Sequence, residues 1–313
     1  MLTLKQLAEA IGAEYRGKDH PVAGTAFDSR SVAKGDVFVA IKGAKTDGHD
    51  HVDQAVKAGA AAVLVDHEVD MSVSQIIVPD TKQAYGDMAT QWRAQFSIPV
   101  IGITGSCGKT TTKELIAGIL KECGPTHATA RSFNSQVSVP YTLFGIRPEH
   151  QYAVIEMGTS RKGEMKRLAE IVRPTISVIT NISLQHAEGL GSEKDIAVEK
   201  SAIYRGLGKN GIAIINADEP YAKQWRDIVD TRHCVTFGRQ HPADITIDNV
   251  RIAPDSVSFD LHSPLGNQAI CVPIPGEHTI GNAMTAAAVA MAAGADLQAV
   301  ATGLSKAKAH PQR

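Results

Sequence analysis

The sequence predicts a two-domain α/β protein: a small N-terminal α/β block, then a phosphate-loop central domain whose parallel sheet is flanked by helices and joined by an antiparallel side sheet. Three observations carry that expectation. Short, continuous apolar runs alternate with helical stretches over most of the 313 residues. A glycine-rich loop at Gly102–Thr112 joins a buried-type strand to a helix. Past Cys234 the apolar pattern switches from continuous runs to alternation with period two.

In chain order, Met1–Ala10 reads as an amphipathic helix, because charges interrupt the continuous apolar core a signal peptide needs. Val37–Ile41, Ala61–Val65 and Gln75–Val78 read as strands, with a helix near 51–58 and another over about 81–96. At Ile98 and Pro99 a proline resets the chain. Ile98-Pro99 thus reads as a domain boundary, and a division is also set after residue 82. The expected domains are therefore residues 1–82, 83–306 and a linker at 307–313. In the second block Val100–Thr104, Tyr152–Glu156, Thr175–Thr180 and Gly211–Ile215 are continuous apolar runs, as a parallel sheet covered on both faces requires. Residues 245–252 and 256–261 alternate and form the side sheet, and an alanine-rich helix covers about 279–293.

Composition excludes several functions. The formal charge is −1, and charged residues, 21% of the chain, are interspersed in sign, so no basic footprint for nucleic acid exists. Aromatic residues are 5%, too few for a base-stacking platform. The four cysteines, Cys107, Cys123, Cys234 and Cys271, lack metal-ligand spacing and read as reduced thiols of a cytoplasmic protein. No run approaches the roughly 18 apolar residues of a membrane span. A soluble, cytoplasmic monomer without membrane or nucleic-acid partners is expected.

The loop Gly-Ile-Thr-Gly-Ser-Cys-Gly-Lys-Thr-Thr-Thr at 102–112 carries the clearest chemistry. Glycines at 102, 105 and 108 let backbone amides approach phosphate oxygens, and the following helix N-terminus adds partial positive charge. Lys109 is placed to neutralise the β- and γ-phosphates, and Thr110 to ligate Mg²⁺. The strict phosphate-loop spacing would require glycine at 103, where the chain has Ile103. Glu156 ends a strand beside this loop, a position suited to holding Mg²⁺. His186 lies past another strand end; alone, such a histidine is a surface residue. Lys200, on a helix starting near Ser192, reads by itself as a solvated lysine.

Together these residues resemble the Mur ligases, ATP-dependent amide ligases of peptidoglycan precursor synthesis. The resemblance rests on Thr104–Glu114, on His-Ala-Glu-Gly-Leu-Gly-Ser at 186–192, and on Phe27–Gly43 followed by Asp47–Asp50, which is similar to the family's uridine-nucleotide-binding domain. It implies ATP and Mg²⁺ as cofactors. Gly105, Ser106, Cys107, Gly108, Lys109, Thr110, Thr111 and Asn282 would bind ATP; Thr110, Glu156 and His186 would hold metal. Lys109 and His186 would be catalytic, together with Lys200 as a carbamate formed with CO₂. Ser29 and Arg30 would contact the uridine diphosphate. The implied substrates are UDP-N-acetylmuramoyl-tripeptide and D-alanyl-D-alanine, joined through an acyl phosphate. Lys200-Ser-Ala-Ile203 departs from the family's Lys-Gly-Glu-Ile, and Thr279 stands where an asparagine is usual. The family's third domain, with an Asp-Asp-Ser-Tyr-Asn-Ala-Asn-Pro-type loop, has no counterpart motif in these 313 residues, so the chain reads as shortened. A non-catalytic ATP- and precursor-binding module, or the neighbouring ligase that adds the third amino acid, are the alternatives.

Overall fold

The computed structural model describes residues 2–44, 46–185, 187–229 and 234–308, which form two compact units. The first comprises residues 1–97 and 136–146, the second 98–135 and 147–313.

The first unit opens with α1 (Leu4–Ala10), started by Thr3, whose hydroxyl accepts the Gln6 amide while Gln6 reaches back to the Thr3 amide. Then come β1 (Glu14–Arg16), β2 (Thr25–Ala26), β3 (Val37–Val39), α2 (Val52–Ala58), β4 (Ala62–Val65), β5 (Ser74–Ile77) and α3 (Thr81–Arg93). The sheet order is β1-β5-β4-β3-β2, parallel except for β1. Phe38, Val52, Ala55, Val63 and Val65 form one core cluster in this unit. Helix α3 belongs wholly here, so a division after residue 82 would cut it. The units divide beside the proline at 99, where the proline marked a boundary in the sequence. A later helix, Ser138–Phe144, also joins this unit: its Phe144 ring stacks on Tyr85 (5.9 Å between centroids) and lies 5.4 Å from Trp92.

The second unit starts with β6 (Val100–Thr104), α4 (Lys109–Cys123) and β7 (Thr126–Ala128); the helix that returns to the first unit is α5 (Ser138–Phe144). The second unit continues with β8 (Tyr152–Glu156), α6 (Glu164–Val172), β9 (Ile176–Ile179), α7 (Ala187–Leu190), α8 (Glu193–Arg205), β10 (Ile212–Asn216), α9 (Ala222–Ile228) and β11 (Cys234–Phe237). These strands form an all-parallel sheet in the order β11-β10-β9-β6-β8-β7. The antiparallel side sheet has three strands, β12 (Thr246–Ile252), β13 (Val257–Ser263) and β14 (Gly266–Val272), in that order. Helices α10 (Glu277–Ala292) and α11 (Leu297–Ser305) end the described chain. Alanines at 283, 286, 287, 288 and 290 on α10 are fully buried, because small side chains let this helix pack closely against α4 and the sheet.

Winding reverses around β6. The chain leaves it for β7, returns to β8 on one side, then crosses to β9 and outward to β11. In an open parallel sheet this reversal opens a crevice at the carboxyl ends of the strands. The loops after β6, β8 and β9 meet there. Among the described residues no helix is long and apolar enough to cross a membrane.

Candidate functional site

The phosphate loop occupies the turn from β6 into α4. Ile103 is fully buried in the core beneath it, which explains why glycine is absent at that position. Burying an isoleucine stabilises the strand by about 1.5–3 kcal/mol, which a glycine would forfeit. Glycine is needed two residues later: Gly105 has φ +151°, and a Cβ there would stand 1.9 Å from Thr180 Oγ1. Gly108 has φ +78°, and its Cβ would meet Asn282 Oδ1 at 2.4 Å. The displaced glycine spacing thus follows from packing against β9 and α10.

The segment after β9 braces the loop. The Ser106 amide donates to Asn181 O (2.9 Å), and the Cys107 amide to Asn181 Oδ1 (2.9 Å). Thr180 Oγ1 and Asn181 Nδ2 donate to Cys107 O at 2.6 and 2.9 Å. Lys109 folds back on the loop and donates to Gly105 O and Ser106 O, both at 2.9 Å. The lysine is thereby held over the place where phosphates approach the helix N-terminus.

Glu156, 1% exposed at the end of β8, faces the same corner. Its Oε1 accepts from Thr110 Oγ1 (3.2 Å) and Asn134 Nδ2 (2.8 Å), and its amide donates to Thr129 Oγ1 (3.0 Å). Its Oε2 is buried and has no hydrogen-bond partner among the described residues. A lone carboxylate oxygen beside a hydroxyl is costly unless a cation completes it, and hard oxygen donors suit Mg²⁺. The donor set therefore fits the expected metal. His186 lies outside the described residues.

The expectation of a solvated Lys200 is corrected. On α8 it is 2% exposed. Burial, reinforced by the like charge of Lys109, pushes its ammonium down to about 8. The cause is tertiary: α6 and α8 pack together, and Glu199 ties them by accepting the Gly163 and Met165 amides, both at 2.8 Å.

Beside the loop opens a cavity of about 770 Å³. Cys107, Gly108, Thr111, Asn181 and Asn282 line its phosphate-loop side. Asp218, Phe237, Arg239 and His278 line the remainder. Asn282, 8% exposed, accepts from Thr112 Oγ1 at 3.2 Å, which fixes it at the mouth. Burial acts to raise the Asp218 carboxyl, but the amides of Arg239, Gln240 and His241 outweigh it and hold the group below its usual range. Asn134 and Asp218 escaped the sequence reading. Asp218 carries the signal that singled out Glu156, an acid just past a parallel strand; Asn134 has none, since its place depends on a turn closed by the Lys113 ammonium on Thr129 O and Arg131 O (2.7 Å each).

In the first unit, Ser29 is 8% exposed and donates to Gln54 Oε1 (2.9 Å). Arg30 is exposed and forked onto Asp28 at 2.9 and 2.7 Å, which holds the Asp28 carboxyl down to about 2. Both follow β2, at the carboxyl edge of the sheet.

A phosphate loop at a winding reversal, an acid opposite its threonine and an adjoining cavity define a nucleoside-triphosphate-binding α/β protein. Family models agree on which kind. Residues 103–290 match the Mur ligase middle domain, and residues 21–93 match the Mur ligase family catalytic domain. The chain belongs to the Mur ligase family, whose members are ATP-dependent, amide-bond-forming ligases. UDP-N-acetylmuramoyl-tripeptide–D-alanyl-D-alanine ligase of Escherichia coli is 39% identical over the whole chain, which spans 69% of that relative. The protein of the same name from Synechocystis is 37% identical over 89% of the chain and 60% of its own length. Among solved structures, MurF from Acinetobacter baumannii superposes with a TM-score of 0.91 at 33% identity, covering 98% of this chain and 68% of that one. A Thermotoga maritima MurF ligase solved in complex with ADP shares the fold (TM-score 0.77, 24% identity, 92% of this chain and 66% of that one).

Proposed function

We propose that this chain provides the ATP and precursor sites of a ligase that adds D-alanyl-D-alanine to UDP-N-acetylmuramoyl-tripeptide. The observation that carries the reading is Glu156, a buried carboxylate hydrogen-bonded to the threonine of a phosphate loop, whose other oxygen has no partner among the described residues. Thr110 and Glu156 hold Mg²⁺, with His186 contributing to a second metal position. Bound there, the metal supplies charge neutralisation for the triphosphate. Lys109 leaves the carbonyls of Gly105 and Ser106 to meet the γ-phosphate, and amides of residues 105–111 cradle the phosphates. The cavity beside Asn282 takes the nucleoside. The precursor carboxylate attacks the γ-phosphate, breaking its bond to ADP and giving an acyl phosphate; the dipeptide amine then attacks the acyl carbon, forms the amide with loss of a proton and expels phosphate.

Lys200 supports the second half of the reading. Carbamate formation needs a neutral amine, and burial beside Lys109 favours that form near pH 8. In the first unit, Ser29 and Arg30 receive the uridine diphosphate, with Arg30 exchanging Asp28 for phosphate.

Phosphate release from ATP, measured with the tripeptide precursor and with or without D-alanyl-D-alanine, tests the proposal. Dipeptide-dependent release supports ligation by this chain. ATP and precursor binding without release assigns it to a binding module, and incorporation of lysine or diaminopimelate in place of the dipeptide assigns it to the neighbouring step.

A further inference from the structure

Away from the phosphate loop, the first unit gathers a second set of side chains with ligand chemistry. Strands β3 and β4 are parallel neighbours that end together, with Val39 beside Leu64. The chain after β3 reaches Asp47 and His49, and β4 is followed at once by Asp66 and His67. His49 Nδ1 stands 2.6 Å from Asp47 Oδ1, and His49 Nε2 stands 3.2 Å from Asp66 Oδ1. His67 Nδ1 bonds Asp66 Oδ1 as well. The two imidazoles stack at 4.9 Å with planes 23° apart. One ligand atom each from His49, Asp66 and His67 lies within 4.8 Å of the others.

The chemistry of His49 is fixed from behind. Its side chain is 8% exposed, and the Asp47 carboxylate on Nδ1 assigns the proton to that nitrogen. Nε2 is left with its lone pair turned toward Asp66, where it accepts the Asp66 amide at 3.1 Å. A carboxylate that orients an imidazole so that the far nitrogen can donate is the usual support of a metal-bound histidine. We propose that His49 Nε2, the Asp66 carboxylate and His67 form a binding site for a divalent transition metal of the zinc type, completed by water. Two imidazoles and one carboxylate match that class of ion, whereas Mg²⁺ and Ca²⁺ prefer oxygen donors throughout. Zinc bonds of about 2.0–2.2 Å place tetrahedral ligand atoms roughly 3.3 Å apart. The His49–Asp66 separation already has that value. His67, whose side chain is 64% exposed, can turn from its bond to Asp66 to share the ion. The metal displaces the Asp66 amide from Nε2, and that amide then faces solvent.

The test is a titration of the full chain, without nucleotide, with Co²⁺ followed by visible absorption and with Zn²⁺ followed by calorimetry. One saturable equivalent with the intense bands of a low-coordinate cobalt site, displaced by Zn²⁺, is expected. His67→Ala, at an exposed position that spares the fold, abolishes it. Asp47→Asn weakens it about 10- to 100-fold by releasing the His49 tautomer. Absence of a saturable equivalent overturns the proposal and leaves the cluster as a tie between two turns. Unchanged affinity in either variant overturns it too.

Discussion

At the carboxyl edge of the five-stranded sheet, Asp28 holds Arg30, Asp47 accepts the hydrogen bond of His49 Nδ1 and the Asp66 amide donates to His49 Nε2, so these side chains find partners within the unit. Around the phosphate loop of the six-stranded sheet, Glu156 keeps one oxygen without a partner among the described residues, and Lys200 is buried near the like charge of Lys109. The first arrangement is stable as it stands and must exchange partners to bind anything. The second carries desolvation costs that only a bound cation or a chemical change of the lysine can relieve.

Glu156→Gln is the severest way to break that contrast. It keeps the volume and removes the charge proposed to hold Mg²⁺, so precursor-dependent phosphate release should fall about 10²- to 10³-fold, measured at saturating ATP and Mg²⁺. An unaltered rate would remove Glu156 from the metal site. Lys200→Met comes next, assayed by thermal melting in CO₂-free buffer. The native lysine has a folded pKa of about 8 against an ordinary 10.5, so wild-type stability rises with pH between those values. Below pH 8 the methionine variant should be more stable by about 2–3 kcal/mol, an advantage that fades toward pH 10.5. The same wild-type chain in bicarbonate should gain the mass of one CO₂ at Lys200, more at pH 8 than at pH 7.

Glu219 offers a smaller, opposite test near the cavity. Burial, with Glu193 and Asp218 adding like charge, pushes its carboxyl up to about 7. The folded state therefore holds a proton that the unfolded state has lost, and stability falls as pH rises from the ordinary 4.5 to about 7. Glu219→Gln should stabilise the chain above pH 7 by about 1–2 kcal/mol, after allowance for its partial exposure. A melting curve without that pH dependence would count against the shift. Arg30→Ala is the mildest. It should weaken uridine-diphosphate binding several-fold in calorimetry and leave the melting temperature unmoved, since the arginine is exposed.

Local features were legible in the sequence, and long-range ones were not. Strand β6, the loop and α4 follow one another without interruption, so periodicity and three glycines sufficed to place Lys109 and Thr110. Glu156 was readable as an acid ending an apolar run. The burial of Lys200 was hidden, because α8 is polar in composition and only its tertiary packing, on α6, β9 and β6 among others, takes this lysine out of water. Helix α5 was missed for a related reason: Phe144 finds its partners on α3, far back in the chain. Strand β14, whose exposed face is polar, left no clear alternation either. The side sheet consequently has one strand more than the two that alternation revealed.

That same α5 sets an order of events during synthesis. Tyr85 and Trp92 are fully buried, and the Phe144 ring that packs on both is made only after the β6 strand and the whole phosphate loop have been synthesised. At about 5–20 residues per second, the nascent first unit waits several seconds for its last helix. During that interval its aromatic face is open to water and to chaperones, while the nucleotide-binding segment is already in existence.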